Sequence, residues 1–159
     1  MINQRIKEAI KFIVSRLENK KIKWVLIGSA SLALQGVKIK PKDIDILTDK
    51  KGAFKIEKLF EEYKVRIFSV KLSHSKLFKS YFGKFKFKDV KFEVMGDLKE
   101  KAGNKWVSFF ARLKSPKIVN LEGMKISVSS LQEQLRSYSK LGRKKDVIRV
   151  KKIKEALKK

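Results

Sequence analysis

Two short stretches carry residue types that could do chemistry together, Gly28-Ser29 and Asp43-Ile44-Asp45. Lys23-Trp24-Val25-Leu26-Ile27 reads as a buried strand, and the small pair Gly28-Ser29 turns it directly into a short helix, Ser29–Gln35, rich in Ala and Leu. A strand that ends in glycine and opens a helix gathers unpaired backbone N–H groups and a positive dipole end in one place. That suits a phosphate, and the Ser29 hydroxyl adds a donor. Asp43 and Asp45 stand two apart on the next expected strand, so both carboxylates leave one face while Ile44 and Ile46 leave the other. Two neighbouring carboxylates repel unless a cation lies between them, and hard oxygen ligands suit Mg²⁺. A phosphate cradle beside such a site is what transfer from a nucleoside triphosphate requires.

These residues need a scaffold, and the periodicity supplies one. Asn3 to Asn19 reads as a helix with Ile6, Ile10, Ile13, Val14 and Leu17 as its apolar stripe. Pro41 ends the connection and holds Lys40 extended just before the Asp-bearing strand. Ala53–Tyr63 reads as a helix crossing to a strand at Val65–Val70, and strand–helix–strand alternation of this kind implies an α/β sheet packed with helices. Leu72 to Tyr81 gives no clear pattern, and His74, the chain's one histidine, reads as a solvent-facing loop residue. Next comes a hairpin, Lys84-Phe85-Lys86-Phe87-Lys88, a turn at Asp89, then Val90-Lys91-Phe92-Glu93-Val94. Phe85, Phe87, Val90, Phe92 and Val94 are its candidates for burial, and Lys84, Lys86, Lys88, Lys91 and Glu93 share the other face. Lys99–Lys105 reads as a loop and Trp106–Arg112 as a strand; Ile118–Leu121 and Met124–Val128 read as a second hairpin. Ser129 or Ser130 caps a helix over Leu131–Leu141, Glu133 standing where it completes a capping arrangement with Ser130; Gly142 breaks that helix, and Arg143-Lys144-Lys145-Asp146 opens a final one.

Composition sets the outer limits. The 159 residues suit one domain with a core of its own, about 20–97, followed by a helical segment over about 129–159. Hydrophobic residues make up 43%, which excludes a disordered basic tail. The absence of cysteine excludes a disulfide framework and a thiolate metal site. No apolar run reaches the length of a membrane span and no signal-peptide core opens the chain, so a cytoplasmic protein is the expectation. The charge stands out: 41 Lys and Arg against 16 Asp and Glu give +25. Lysine-rich thermophile surfaces raise Glu along with Lys, whereas here Glu lags, so the excess points to a polyanionic partner, most simply RNA, rather than to a membrane.

Gly-Ser, a short helix, then Asp-hydrophobic-Asp-hydrophobic resembles the nucleotidyltransferase superfamily that includes polymerase beta and the antibiotic nucleotidyltransferases. The likeness covers roughly Trp24 to Met95. The family's pattern calls for a third carboxylate on a later strand, a place that Glu93 fills in Lys91-Phe92-Glu93-Val94-Met95. The resemblance implies a mixed α/β (α+β) sheet and transfer of a nucleoside monophosphate from Mg²⁺–NTP (Mn²⁺ as a substitute) to a hydroxyl acceptor, with release of pyrophosphate. It casts Asp43, Asp45 and Glu93 as catalytic metal ligands and Gly28 and Ser29 as holders of the nucleotide. Lys144 or Lys145 lies where small relatives place a lysine against the phosphates. Lys84, Lys86, Lys88 and Lys91 would then hold phosphates of a nucleotide or nucleic acid beside Glu93. RNA, a partner protein and a small molecule all stay open as acceptor. The competing readings are a basic nucleic-acid-binding module without turnover and an antitoxin-type partner protein.

Overall fold

The computed structural model describes residues 2–159, which form eight strands and six α-helices. Asn3 caps α1 (Gln4–Leu17), its side chain accepting from the Ile6 N–H, and the stripe from Ile6 to Leu17 is buried. β1 (Trp24–Ile27) runs into α2 (Gly28–Leu34); β2 (Ile44–Thr48) follows, then α3 (Lys50–Phe60), capped by Asp49. A single 3₁₀ turn leads to β3 (Arg66–His74), β4 (Phe78–Phe87), β5 (Val90–Ala102) and β6 (Lys105–Ser108). α4 (Phe110–Lys114), β7 (Lys117–Leu121), β8 (Met124–Val128), α5 (Leu131–Leu141) and α6 (Lys144–Leu157) complete the chain.

The strands form one mixed sheet in the order β3-β4-β5-β2-β1-β8-β7, with β6 added to the end of β5. β1 and β2 are antiparallel, while β2–β5 and β1–β8 are parallel. Alternation along the central strands divides the sheet into two faces. Leu26, Ile44, Ile46, Phe92 and Val94 point to α1 and α3 and are fully buried there. Phe85 and Phe92 stack at 5.1 Å across β4 and β5, and Phe87 lies 4.0 Å from Phe12 of α1. On the opposite face Val25, Leu47, Leu98 and Leu113 form a smaller cluster, and α5 and α6 pack beside it through Leu32, Val37, Leu131, Tyr138 and Ile153.

The second half of the sheet departs from the sequence reading in three places. Lys99–Lys105 is not a loop, because β5 continues to Ala102 and pairs with β6. The inward position there is Glu100, 3% exposed, and a carboxylate breaks the apolar alternation that marks a strand. Trp106–Arg112 is strand only to Ser108 before turning into α4. The unpatterned stretch 72–81 belongs to a hairpin whose turn is closed by the Ser75 N–H on the Phe78 carbonyl at 2.8 Å. β3 is the sheet's edge and leaves Ile67, Phe68 and Leu72 exposed, so no buried face imprints a period on it.

Candidate active site

Asp45 and Glu93 are register partners on the parallel pair β2–β5, and Ile27, the last residue of β1, is partnered with Asp45 on its other side. Both carboxylates therefore leave the sheet side by side, on the face turned away from α1 and α3. Asp43 lies just before β2. The three line a cavity of about 570 Å³ between this face and the α5–α6 layer. Gly28 and Ser29 form one wall; Lys145, Arg149 and Tyr138 come from the helices opposite.

Gly28, part of the cavity wall, also makes room for Asp45. Its φ is +74°, and a Cβ there would collide with the Asp45 carboxylate. Its amide is also spoken for, donating at 3.0 Å to Oε1 of Gln134 in α5. Ser29 instead faces the cavity, and no hydrogen bond engages its hydroxyl among the described residues. Gln134, 1% exposed, is the staple of this corner. Its Nε2 donates to the Ser31 hydroxyl at 3.0 Å and the Ser129 carbonyl at 2.9 Å, so α2, β8 and α5 meet on one side chain. Gln35 reinforces the corner from α2, donating to the same Ser129 carbonyl at 2.8 Å.

The electrostatics follow from this crowding. Burial, then the neighbouring Glu93 and Asp43, push Asp45 up to about 7, against the opposing pull of Arg149 and Lys145. Glu93 is also raised, chiefly by burial; Lys84 opposes this from its register position across β4, Asp43 adds to it, and Lys145 and Lys91 oppose it. Mg²⁺ fits this donor set by type, being a hard cation that takes oxygen ligands and relieves repulsion between carboxylates. Among the described residues no three carboxylate, histidine or cysteine side chains are gathered closely enough to grip an ion as they stand. Glu93 and Asp43 are near enough to raise Asp45, but the three carboxylates are not drawn together.

The remaining sequence candidates divide. Of the two lysines that open α6, Lys145 lines the cavity, whereas Lys144 is exposed and does not. The turn is set by Asp146, fully buried, which accepts from the Arg143 backbone N–H at 3.1 Å and from its guanidinium at 2.6 and 3.0 Å. Lys84 stands opposite Glu93, and Lys86 opposite Lys91, on the carboxylate face. Lys88 departs from the sequence reading. It occupies the hairpin turn at φ 55° and reaches Glu8 of α1 at 3.4 Å, so it belongs to the other face. His74 is exposed, lies edge-on to Trp106 at 5.4 Å and is not part of the cavity lining. Sequence reasoning missed Gln134, Tyr138 and Arg149. For Arg149 a signal existed, since it falls one helical turn after Lys145 and so shares its face.

With this geometry in view, the comparisons with known proteins are decisive about ancestry. The profile of the aminoglycoside-2″-adenylyltransferase family matches residues 9–153. The chain belongs to that family. With it comes membership of the nucleotidyltransferase superfamily. The crystal structure of a candidate nucleotidyltransferase from Thermotoga maritima, TM1012, shares 36% identity, covers 96% of this chain and 94% of its own, and superposes with a TM-score of 0.84. The lincosamide antibiotic adenylyltransferase LnuA with lincomycin bound is similar in fold, at 16% identity, 98% coverage of both chains and a TM-score of 0.63. So is ANT(2″)-Ia in complex with adenylyl-2″-tobramycin, at 9% identity, 97% and 90% coverage and a TM-score of 0.61. No curated protein matches the sequence at a significant level. No helix among the described residues is long and apolar enough to cross a membrane.

Proposed function

We propose that this family member transfers a nucleoside monophosphate, AMP in the first instance, from a metal-bound nucleoside triphosphate to a hydroxyl acceptor, with release of pyrophosphate. The observation that carries the proposal is the pairing of Asp45 with Glu93 on adjacent parallel strands, facing a cavity whose walls bring Ser29 and Lys145 to the same space. Asp43 and Asp45 would hold Mg²⁺, with Glu93 completing the set. The ion would supply charge neutralisation on the transferring phosphoryl group. Ser29 offers its hydroxyl to a phosphate oxygen, and Lys145 and Arg149 neutralise the leaving pyrophosphate. The acceptor oxygen forms the new bond to the α-phosphorus as the bond to pyrophosphate breaks, and its proton passes to Glu93. Gln134, in the cavity wall, positions the Gly28–Ser29 turn.

The charge favours one acceptor class over others. With +25 overall and Lys84, Lys86 and Lys91 on the carboxylate face, an RNA end is a reading with its own support. The test for both is incubation with each radiolabelled NTP and Mg²⁺ or Mn²⁺, with and without total cellular RNA, scoring label transfer and pyrophosphate release. A chain that neither transfers label nor binds any NTP would leave the nucleic-acid-binding module as the surviving reading.

A further inference from the structure

The cavity extends well past the carboxylates, and its far end has a chemistry that the family name does not lead one to expect. From Glu93 to Leu98 along β5 is roughly 16 Å at the usual strand rise. Over that length the lining passes from Asp43, Asp45 and Glu93 to Phe78, Phe82, Met95, Leu98 and Phe109. The polar groups among them include the hydroxyls of Ser73, Ser75, Ser80 and Ser137 and two guanidiniums, Arg112 and Arg143. Arg112 lies 4.1 Å from the centre of the Phe109 ring and Arg143 5.4 Å from that of Phe78.

An aminoglycoside brings several ammonium groups, and each one taken from water needs a carboxylate beside it. The only carboxylates lining the cavity are the three at the transfer centre. Two others lie behind its far wall, and both are engaged: Glu133 pairs with Arg112 at 3.5 Å, and Glu100 accepts from the Ser137 hydroxyl at 2.7 Å. The aromatic faces of Phe78 and Phe109 already carry guanidiniums, so cation–π contact with an ammonium is forestalled as well. Arg112 is likewise engaged, donating to the Glu133 carbonyl at 3.0 Å, so it is not free for an anion, whereas an uncharged apolar body needs no such partner.

We propose that the acceptor of this protein is an uncharged hydroxyl compound with a flat apolar body, bound among Phe78, Phe82, Leu98 and Phe109, and not a polycationic aminoglycoside. The inference rests on the transfer reading above and narrows it. The terminal nucleoside of an RNA also presents a flat base and a ribose hydroxyl, so the test carries an arm for each source.

The full-length chain, saturated with Mg²⁺ and a non-hydrolysable ATP analogue, is titrated calorimetrically with four small probes and a short oligouridylate. The probes are p-nitrophenyl glucoside, the matching glucuronide, the matching 2-amino sugar and tobramycin; the first three differ in charge on one body. The glucoside is expected to bind about tenfold tighter than its amino counterpart and at least as tightly as the glucuronide, and tobramycin least of all. Ser73→Asp, on the exposed rim, should gain tobramycin binding several-fold without touching the fold. Oligouridylate binding tighter than the glucoside assigns the site to an RNA end and keeps the charge rule. Tobramycin binding as tightly as the glucoside overturns the proposal, as does failure of every probe while the ATP analogue binds. Failure of the analogue itself strikes the transfer reading first.

Discussion

The two faces of the β2–β5 pair are built from alternate residues of the same strands, yet they follow opposite rules. On one, Ile44, Ile46, Phe92 and Val94 are 0% exposed against α1 and α3, with apolar partners on every side. On the other, Asp45 and Glu93 stand together and both are raised, chiefly by burial, with Glu93 adding to the rise of Asp45. The first face gains free energy from burial, and the second loses some of it by holding carboxylates out of water. Those carboxylates are tolerated at this point of the sheet because Asp45 and Glu93 are each flanked on both sides by fully buried apolar residues.

That contrast can be broken most directly by mutation on each side. Phe92→Ala should cost about 4 kcal/mol of stability, measured by denaturant unfolding, because it opens a cavity between Phe60 and Phe85. Asp45→Asn should cost a similar ~4 kcal/mol in the barrier, on the order of a thousandfold in rate, while leaving the chain folded. If both variants lose stability alike, the two faces do not differ as described.

Next in size is a pH effect. In the fold Asp45 sits near 7 against an ordinary 3.8, so its protonated form is favoured. The stabilisation is full below about pH 4 and is lost as pH rises towards 7, for a total of roughly 2–4 kcal/mol without metal. Thermal unfolding across that range should show wild type falling relative to Asp45→Asn, and Mg²⁺ with nucleotide restoring it above pH 7. A parallel course for the two proteins would remove Asp45 as the strained member. Gly28→Ala should follow at about 1–3 kcal/mol, from positive φ and the carboxylate it would strike, with activity falling further than stability. The smallest expected difference is between neighbours. Lys145→Gln should slow transfer by about tenfold, while Lys144→Gln should have little effect in the same steady-state assay.

The sequence by itself determined the central strands, both faces of β2 and the order Gly28-Ser29, Asp43, Asp45, Glu93, because period-two alternation and turn chemistry are local and leave their mark on consecutive residues. It also determined the ends of α5, where Ser130 caps by accepting from the Glu133 N–H at 3.2 Å and Gly142 closes at φ 65°. What only the tertiary structure decided depends on chain segments far apart. Glu100 is buried where Ser137 of α5 reaches it; Lys88 leaves the carboxylate face because it sits in the β4–β5 turn at φ 55°. Gly28 is needed for the space of a carboxylate that arrives from β2, and its N–H goes to Gln134, 106 residues on. The choice of Lys145 over Lys144 follows from Asp146 fixing the first turn of α6. Lys88 apart, each of these is a side chain answering a partner that no nearby residue announces, and only packing brings the two together.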